Sequence, residues 1–523
     1  MADDPRPLRR LRRELVRPTG HTVRWPLAVA AGMTVVTAVL FAGHFSVATT
    51  PHFNADQAIH ALMAERFDWS RDAYYWGQDR LGSLIPFLGS VLTTLGLDGL
   101  TAMVWVQAAV LLGCGALWAW LVRDVLLAVL GWAALTLPPY PFYELVNIGH
   151  PYLSQFGVGL GLLALLEAER RGAPARNDRS DNHGSRKGLR AGIRAAVIPL
   201  TAWASIWASE LSVALLAPAM WCYRDHLGVR LRQHPWVFAV ATLIGAVALW
   251  AAKAGAPHQR GFARLLAEPH DILGSMANQW SEWIMTLNGT GNKPFNLIFW
   301  WVVLAMIAIL VAWGLIRRTP ASALTRTLAL ATLASWAAVH ASGWNAANDF
   351  PLRYFAAAYG WGALAVLSYL RDSGRITRPS LAVVLIGLWG LQAWAAWSFT
   401  TQFSTGARGR LSRAQAVELL REAQNNSGSV AFIGSYWNSY LLDGLSGTAR
   451  GVPHEGDYCR DRRHLTEVLY HGEVIAVAAG WLEVLPDTLR QYSTTWVKRG
   501  PTVKSDGTDY ARYARVEELT QDH

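Results

Sequence analysis

The chain has 523 residues, 52% of them hydrophobic and only 16% charged, with a formal net charge of +10. Soluble domains carry about 25% charged residues, and here the charge is confined to short stretches between long apolar runs, which excludes an ordinary soluble domain and points to membrane spans. The arginines sit at the ends of apolar segments, so the positive charge fits membrane flanks and not a nucleic-acid partner, and the 26 Trp fit interfacial aromatic belts.

At the N-terminus Arg6, Arg9, Arg10, Arg12, Arg13 and Arg17 precede the first apolar stretch. No small-residue cleavage site follows it, so it is expected to be retained as a span. Apolar stretches run over 25–47, 81–97, 101–121, 124–138, 152–167, 191–206, 208–222, 236–252, 295–315, 322–341, 355–370 and 380–399. The N-terminal arginines and the arginine-rich loop 168–194 should both be cytoplasmic. An even number of crossings must separate them, yet five apolar stretches do. The stretch 81–97 is short and holds Pro86, Gly82, Gly89 and Gly96, and is read as an interfacial helix on the outer side. The basic clusters then agree. Loops 48–100, 139–151, 253–294 and 342–354 fall outside, as does everything after about 400.

The expected fold is therefore an all-α polytopic membrane protein of about eleven spans with a small extracytoplasmic α/β domain at its C-terminus. A basic cytoplasmic segment covers 1–24, the membrane region 25–399 and the soluble domain 400–523. In the last of these, 411–424 has helical periodicity, Ser429 to Ile433 reads as a strand, a helix runs from the Gly434-Ser435 turn through Leu445, and Val474 to Ala478 reads as a second strand. The cysteines Cys114, Cys222 and Cys459 form no disulfide framework.

The first outer loop is the most informative. Asn54 is a good N-cap, and Ile59, Leu62, Met63, Arg66 and Phe67 share one face, which describes a short amphipathic helix lying on the membrane. Asp56 sits in its first turn, where the helix dipole favours a carboxylate. Such a carboxylate is either helix-start chemistry alone or a base for an acceptor hydroxyl.

Further on comes Tyr74-Tyr75-Trp76-Gly77-Gln78-Asp79-Arg80-Leu81-Gly82-Ser83-Leu84. An Asp-X-Ala helix after the first span, followed by this Gly-Gln-X-X-X-Gly-Ser-Leu stretch, resembles the GT-C superfamily of membrane glycosyltransferases. The likeness is to the bacterial branch related to protein mannosyltransferases and aminoarabinose transferases. That resemblance implies a GT-C-like fold, a polyprenyl-phosphate-linked sugar donor and transfer on the outer face of the inner (plasma) membrane. It implies Asp56 as catalytic base or acceptor-aligning group. The family more often has Asp-Glu where this chain has Asp56-Gln57, which leaves a second carboxylate or a metal open.

The resemblance also implies an acidic residue in the second outer loop, where Glu144 and His150 are the polar candidates. With Asp56 they are chemically suited to a divalent ion, or they are ordinary interfacial polar residues. Gln78 and Glu210 join them as candidates for an acceptor or metal site; Glu210 stands at the apex of the 191–222 hairpin. The Arg353-Tyr354 pair opening a late span resembles one that in the superfamily lies close to the carrier phosphate, and an arginine offers a phosphodiester a bidentate fork. Arg353 also suits a snorkelling boundary residue. Arg80, and after it Lys253, His258 and Arg260, are further candidates for the same anion. Tyr436, Trp437 and Tyr440 resemble a Tyr-Trp-X-X-Tyr stretch of the same branch and suit either stacking on a sugar or packing on the membrane.

The sequence thus predicts an inverting glycosyltransferase with a lipid-borne donor, a cell-envelope acceptor, membrane lipid around it, no nucleic acid, and no cofactor beyond an optional divalent ion. A transporter or flippase is the first alternative, and it calls for polar residues through the middles of spans. A polysaccharide polymerase or ligase is the second, and it lacks reason for an Asp56 helix directly after the first span.

Overall fold

The computed structural model describes residues 41–50, 53–136, 139–172, 184–256, 266–287, 321–348, 352–373, 410–424, 430–505 and 508–516, with isolated positions between 35 and 39. The expected spans at 295–315 and 380–399, most of the first span, and His258 and Arg260 lie outside the described residues.

The first outer helix, α1 (Ala55–Glu65), starts where the sequence places it. The Asn54 side chain accepts from the backbone N–H groups of Asp56 and Gln57, and the Gln57 side chain accepts from the Asn54 N–H at 3.2 Å, a complete capping box. The expectation that this helix lies on the membrane with one face in water is corrected. Every residue from Gln57 to Ala64 is buried, because α2 (Leu84–Thr93) and α3 (Gly99–Val122) cover one side and the soluble domain covers the other. A helix covered on all sides shows no apolar stripe to a membrane surface.

The ten residues of α2 span about 15 Å, half a bilayer core. The chain continues through α4 (Val125–Thr136), α5 (Pro139–Val146), α6 (Tyr152–Gly172), α7 (Gly184–Ala208), the 3-10 turn Glu210–Ser212, α8 (Val213–Cys222), α9 (Arg224–Gln233) and α10 (Pro235–Gly255). After these come α11 (Pro269–Leu287), α12 (Ala323–Ala341), α13 (Gly343–Ala347), the 3-10 turn Leu352–Phe355 and α14 (Ala356–Ser373). Among the described residues, α3 and α10 are long and apolar enough to cross a membrane. Two expected crossings are shorter: α4 has 12 residues and α8 has 10, against about 20 for a full span. On α10 Trp236, Leu243, Ile244, Val247 and Trp250 are exposed, the pattern of a lipid-facing helix.

The C-terminal part folds around a six-stranded sheet. Its elements are α15 (Arg413–Gln424), β1 (Ala431–Gly434), α16 (Tyr436–Ser446), β2 (Arg450–Pro453), α17 (Arg462–Leu469), β3 (Glu473–Val477), β4 (Thr488–Gln491), β5 (Thr494–Ser505) and β6 (Thr508–Arg515). The strand order is β2-β1-β3-β6-β5-β4, parallel among the first three strands and antiparallel beyond. Its core gathers Ile433, Val452, Val474, Trp496 and Tyr513, all nearly inaccessible.

This domain is riveted to the helical part. Gly444 of α16 lies so close to α1 that a Cβ there would sit 2.6 Å from the Cβ of Ala58. Beside that contact the buried Asp443 carboxylate meets the Arg66 guanidinium at 3.3 Å and His464 Nδ1 at 3.1 Å, and Arg66 also donates to the other nitrogen of His464. Tyr458 Oη donates to the Gly77 carbonyl at 2.6 Å.

Candidate active site

A cavity of about 460 Å³ lies between the two parts of the molecule. Asp56, Gln78, Arg80, His150, Glu210, Arg353 and Tyr354 all line it, although they come from four separate segments of the chain. Of the other candidates read from the sequence, Glu144, Lys253, Tyr436, Trp437 and Tyr440 are not among the lining residues.

Asp56 is half-buried at the start of α1. Space for it is made by Gly149, where a Cβ would come 2.9 Å from that of Asp56. Its Oδ1 accepts a hydrogen bond of 2.8 Å from Tyr436 Oη of the soluble domain. Burial, then the Asp56 charge, raises the Tyr436 hydroxyl well above its ordinary value, so it stays a donor. Beneath Asp56, His60 Nδ1 donates to the Asp56 carbonyl at 3.0 Å. Burial lowers the His60 imidazole to about 4, against the pull of Asp56, so it is neutral.

Arginines line the same cavity. Arg353 has its guanidinium 5.2 Å from the Tyr354 ring, and its buried Nε meets no acceptor among the described residues. Arg80 stacks on Trp344 at 3.8 Å, and Trp344 Nε1 donates to Tyr354 Oη at 3.0 Å, so both arginines are held by one aromatic scaffold. Burial pulls the Arg80 guanidinium down to about 10, which leaves it charged. Arg80 Nε donates to Gln78 Oε1 at 3.3 Å, so Gln78 acts as a brace for Arg80.

Two expectations change. Lys253 forms an ion pair with Glu210, which neutralises it as a candidate for the carrier anion. Glu144 Oε2 lies 2.7 Å from His150 Nδ1, but the contact is too poorly aligned for a hydrogen bond. Among the described residues no three His, Cys, Asp or Glu side chains are grouped to hold a metal ion, and Glu144 and His150 stand as a pair. The aromatic stretch of α16 also takes a different part: Tyr436 and Tyr440 pack against Ile59, Leu62 and Met63 of α1, and the Tyr436 hydroxyl binds Asp56.

Sequence reasoning missed Arg460, which lines the cavity from the soluble domain. It lies in a turn crowded with charge, Asp457 to Arg463, where periodicity offers nothing to set it apart.

A helical body, a buried acid-bearing helix and a small sheet domain over a cationic cavity make up this fold. The same fold is seen in the crystal structure of ArnT from Cupriavidus metallidurans bound to undecaprenyl phosphate, with a TM-score of 0.57 at 13% identity, covering 95% of this chain and 98% of that one. The apo-state structure of ArnT from the same organism gives a TM-score of 0.45 at 12% identity, covering 94% and 98%. No protein-family model matches the chain, and no curated protein does.

Proposed function

We propose that this protein is an inverting glycosyltransferase of the inner (plasma) membrane that moves a monosaccharide from a polyprenyl-phosphate carrier to a cell-envelope acceptor on the outer face. The observation that carries this reading is the lining of the cavity. The Asp56 carboxylate and the guanidinium groups of Arg80 and Arg353 line one space of about 460 Å³, while the other lining carboxylate, Glu210, is paired with Lys253. Support comes from the fold, since a solved structure of that fold is bound to undecaprenyl phosphate.

In this reading Asp56 takes the proton of an acceptor hydroxyl as its oxygen bonds to the anomeric carbon. The bond from that carbon to the carrier phosphate breaks on the opposite face, and the phosphate leaves with the electron pair. Arg353 and Arg80 stabilise the charge it gains, in a site where burial strengthens the interaction. Tyr436 holds the carboxylate in place through its hydroxyl. The N-terminus is cytoplasmic and the soluble domain extracytoplasmic.

The test is sugar transfer by the purified full chain, supplied with a panel of polyprenyl-phosphate sugars and envelope extracts, with release of the free carrier phosphate followed by mass spectrometry. Carrier release that depends on acceptor is the expected result. Absence of both release and carrier binding across the panel overturns the reading.

A further inference from the structure

We propose that Arg460 of the soluble domain is a third anion-binding residue of this cavity, which grips the carrier phosphate together with Arg80 and Arg353 and makes the soluble domain part of the binding site. The inference rests on the glycosyltransferase reading above and deepens it by assigning a further substrate-binding group.

Four observations support it. Arg460 lines the same cavity as Arg80, Arg353 and Asp56. Its hydrogen-bonding partners among the described residues are neutral: Nε donates to Tyr436 Oη at 3.2 Å and a terminal nitrogen to the Trp76 carbonyl at 3.5 Å. Its guanidinium is caged by the rings of Tyr458 at 4.8 Å, Tyr75 at 5.3 Å and Tyr436 at 5.4 Å, which fix its direction without neutralising it. Burial opposes its charge, yet the oxygens of Tyr436 and Tyr75 and the Asp56 carboxylate outweigh burial and hold it above the ordinary arginine value.

Like charge has a further consequence. After burial, the nearby Arg460 charge is among the influences that lower Arg80. Two guanidinium groups that repel across a shared cavity gain most from an anion placed between them, because each then offers its planar fork to the same phosphate oxygens. Asp56 does not discharge this role, since Tyr436 stands between it and Arg460 and bonds both. The soluble domain thereby reaches both halves of the chemistry: the base through Tyr436 and the leaving group through Arg460.

The test compares undecaprenyl phosphate with neutral undecaprenol as ligands of the detergent-purified full chain, by native mass spectrometry, for wild type, Arg460→Gln and Arg353→Gln. Wild type should prefer the phosphate, and Arg460→Gln should bind it about tenfold or more weakly, the scale of a lost charged hydrogen bond, with undecaprenol binding unchanged. A folded Arg460→Gln that keeps phosphate affinity within about twofold of wild type, while Arg353→Gln loses it, overturns the assignment of Arg460 and leaves the glycosyltransferase reading standing. No preference of wild type for phosphate over undecaprenol overturns that reading, and this inference with it. Should Arg460→Gln not fold, Arg460→Lys carries the test. It keeps the charge but loses the fork, so about threefold weaker binding is expected, and unchanged affinity counts against the proposal.

Discussion

Tyr436 and Asp56 are separated by 380 residues in the chain, yet the tyrosine hydroxyl donates a 2.8 Å hydrogen bond to the aspartate carboxylate. The bond ties the sheet domain to the helix that opens the cavity, and it holds the carboxylate with one oxygen occupied. Every property assigned to Asp56 therefore depends on two domains at once.

Asp56→Asn keeps shape and capping but removes the charge. Turnover should fall by roughly two to four orders of magnitude, the usual scale of general-base assistance. Carrier-phosphate binding should change little, since the phosphate is assigned to arginines. The comparison needs both proteins at matched melting temperature; near-normal sugar transfer by the variant would reduce Asp56 to helix-start chemistry.

Arg353→Ala should weaken donor use strongly, because the variant loses a half-buried guanidinium whose Nε has no competing partner among the described residues. Lys at this position should restore only part of the loss, since an ammonium lacks the fork. Steady-state kinetics with varied donor separates the cases. Equal kcat/KM for wild type and Arg353→Ala would leave Arg353 as a boundary residue.

Arg66→Ala breaks the interdomain cluster with Asp443 and His464. Asp443 is fully buried, and stranding one partner of a buried ion pair costs about 3 kcal/mol or more. The variant should melt several degrees lower and the soluble domain should become susceptible to limited proteolysis. A wild-type melting temperature in the variant would show that the rest of the interface suffices.

His60 gives a sign to the acid sensitivity. The folded protein protonates it only near pH 4, whereas the unfolded chain does so near 6.5. Between those values the unfolded state binds more protons, so stability falls as pH drops from 6.5 toward 4 and is unaffected by this group above that window. Thermal melts of wild type should decline across the window, and those of His60→Gln should decline less. Parallel curves would assign the acid loss to other groups.

Orientation is tested by cysteine accessibility in intact cells. Single cysteines placed within 168–194 should be protected from an impermeant reagent and those near 510 labelled, following the arginine-rich cytoplasmic ends. A protected C-terminal domain would invert the topology, and with it the side on which transfer occurs.

Much of this site was readable in the chain, because local chemistry writes local structure. Asn54, Asp56 and Gln57 specify a helix start by themselves, and seven of the residues singled out by type and loop position line one cavity. Other features were only partly legible. Strand β6 was not read from the sequence, because Tyr510-Ala511-Arg512-Tyr513-Ala514-Arg515 repeats every three residues and not every two, and β5 pairs with it through an irregular register around Gly500-Pro501. The burial of α1 was misread because one apolar stripe looks the same whether its opposite face meets water or a second domain.

The sequence by itself determined where α1 begins, which segments are apolar, and which charged residues stand in the loops between them, since these depend on neighbours a few positions away. Only the tertiary structure decided that Lys253 answers Glu210, that Glu144 lies beside His150, that the Tyr436 hydroxyl binds Asp56, and that Arg460 enters the cavity. The physical reason is that an ionic or hydrogen-bonding partner is chosen by distance in space, and a turn such as Asp457 to Arg463 carries several equivalent charges until folding aims one of them inward.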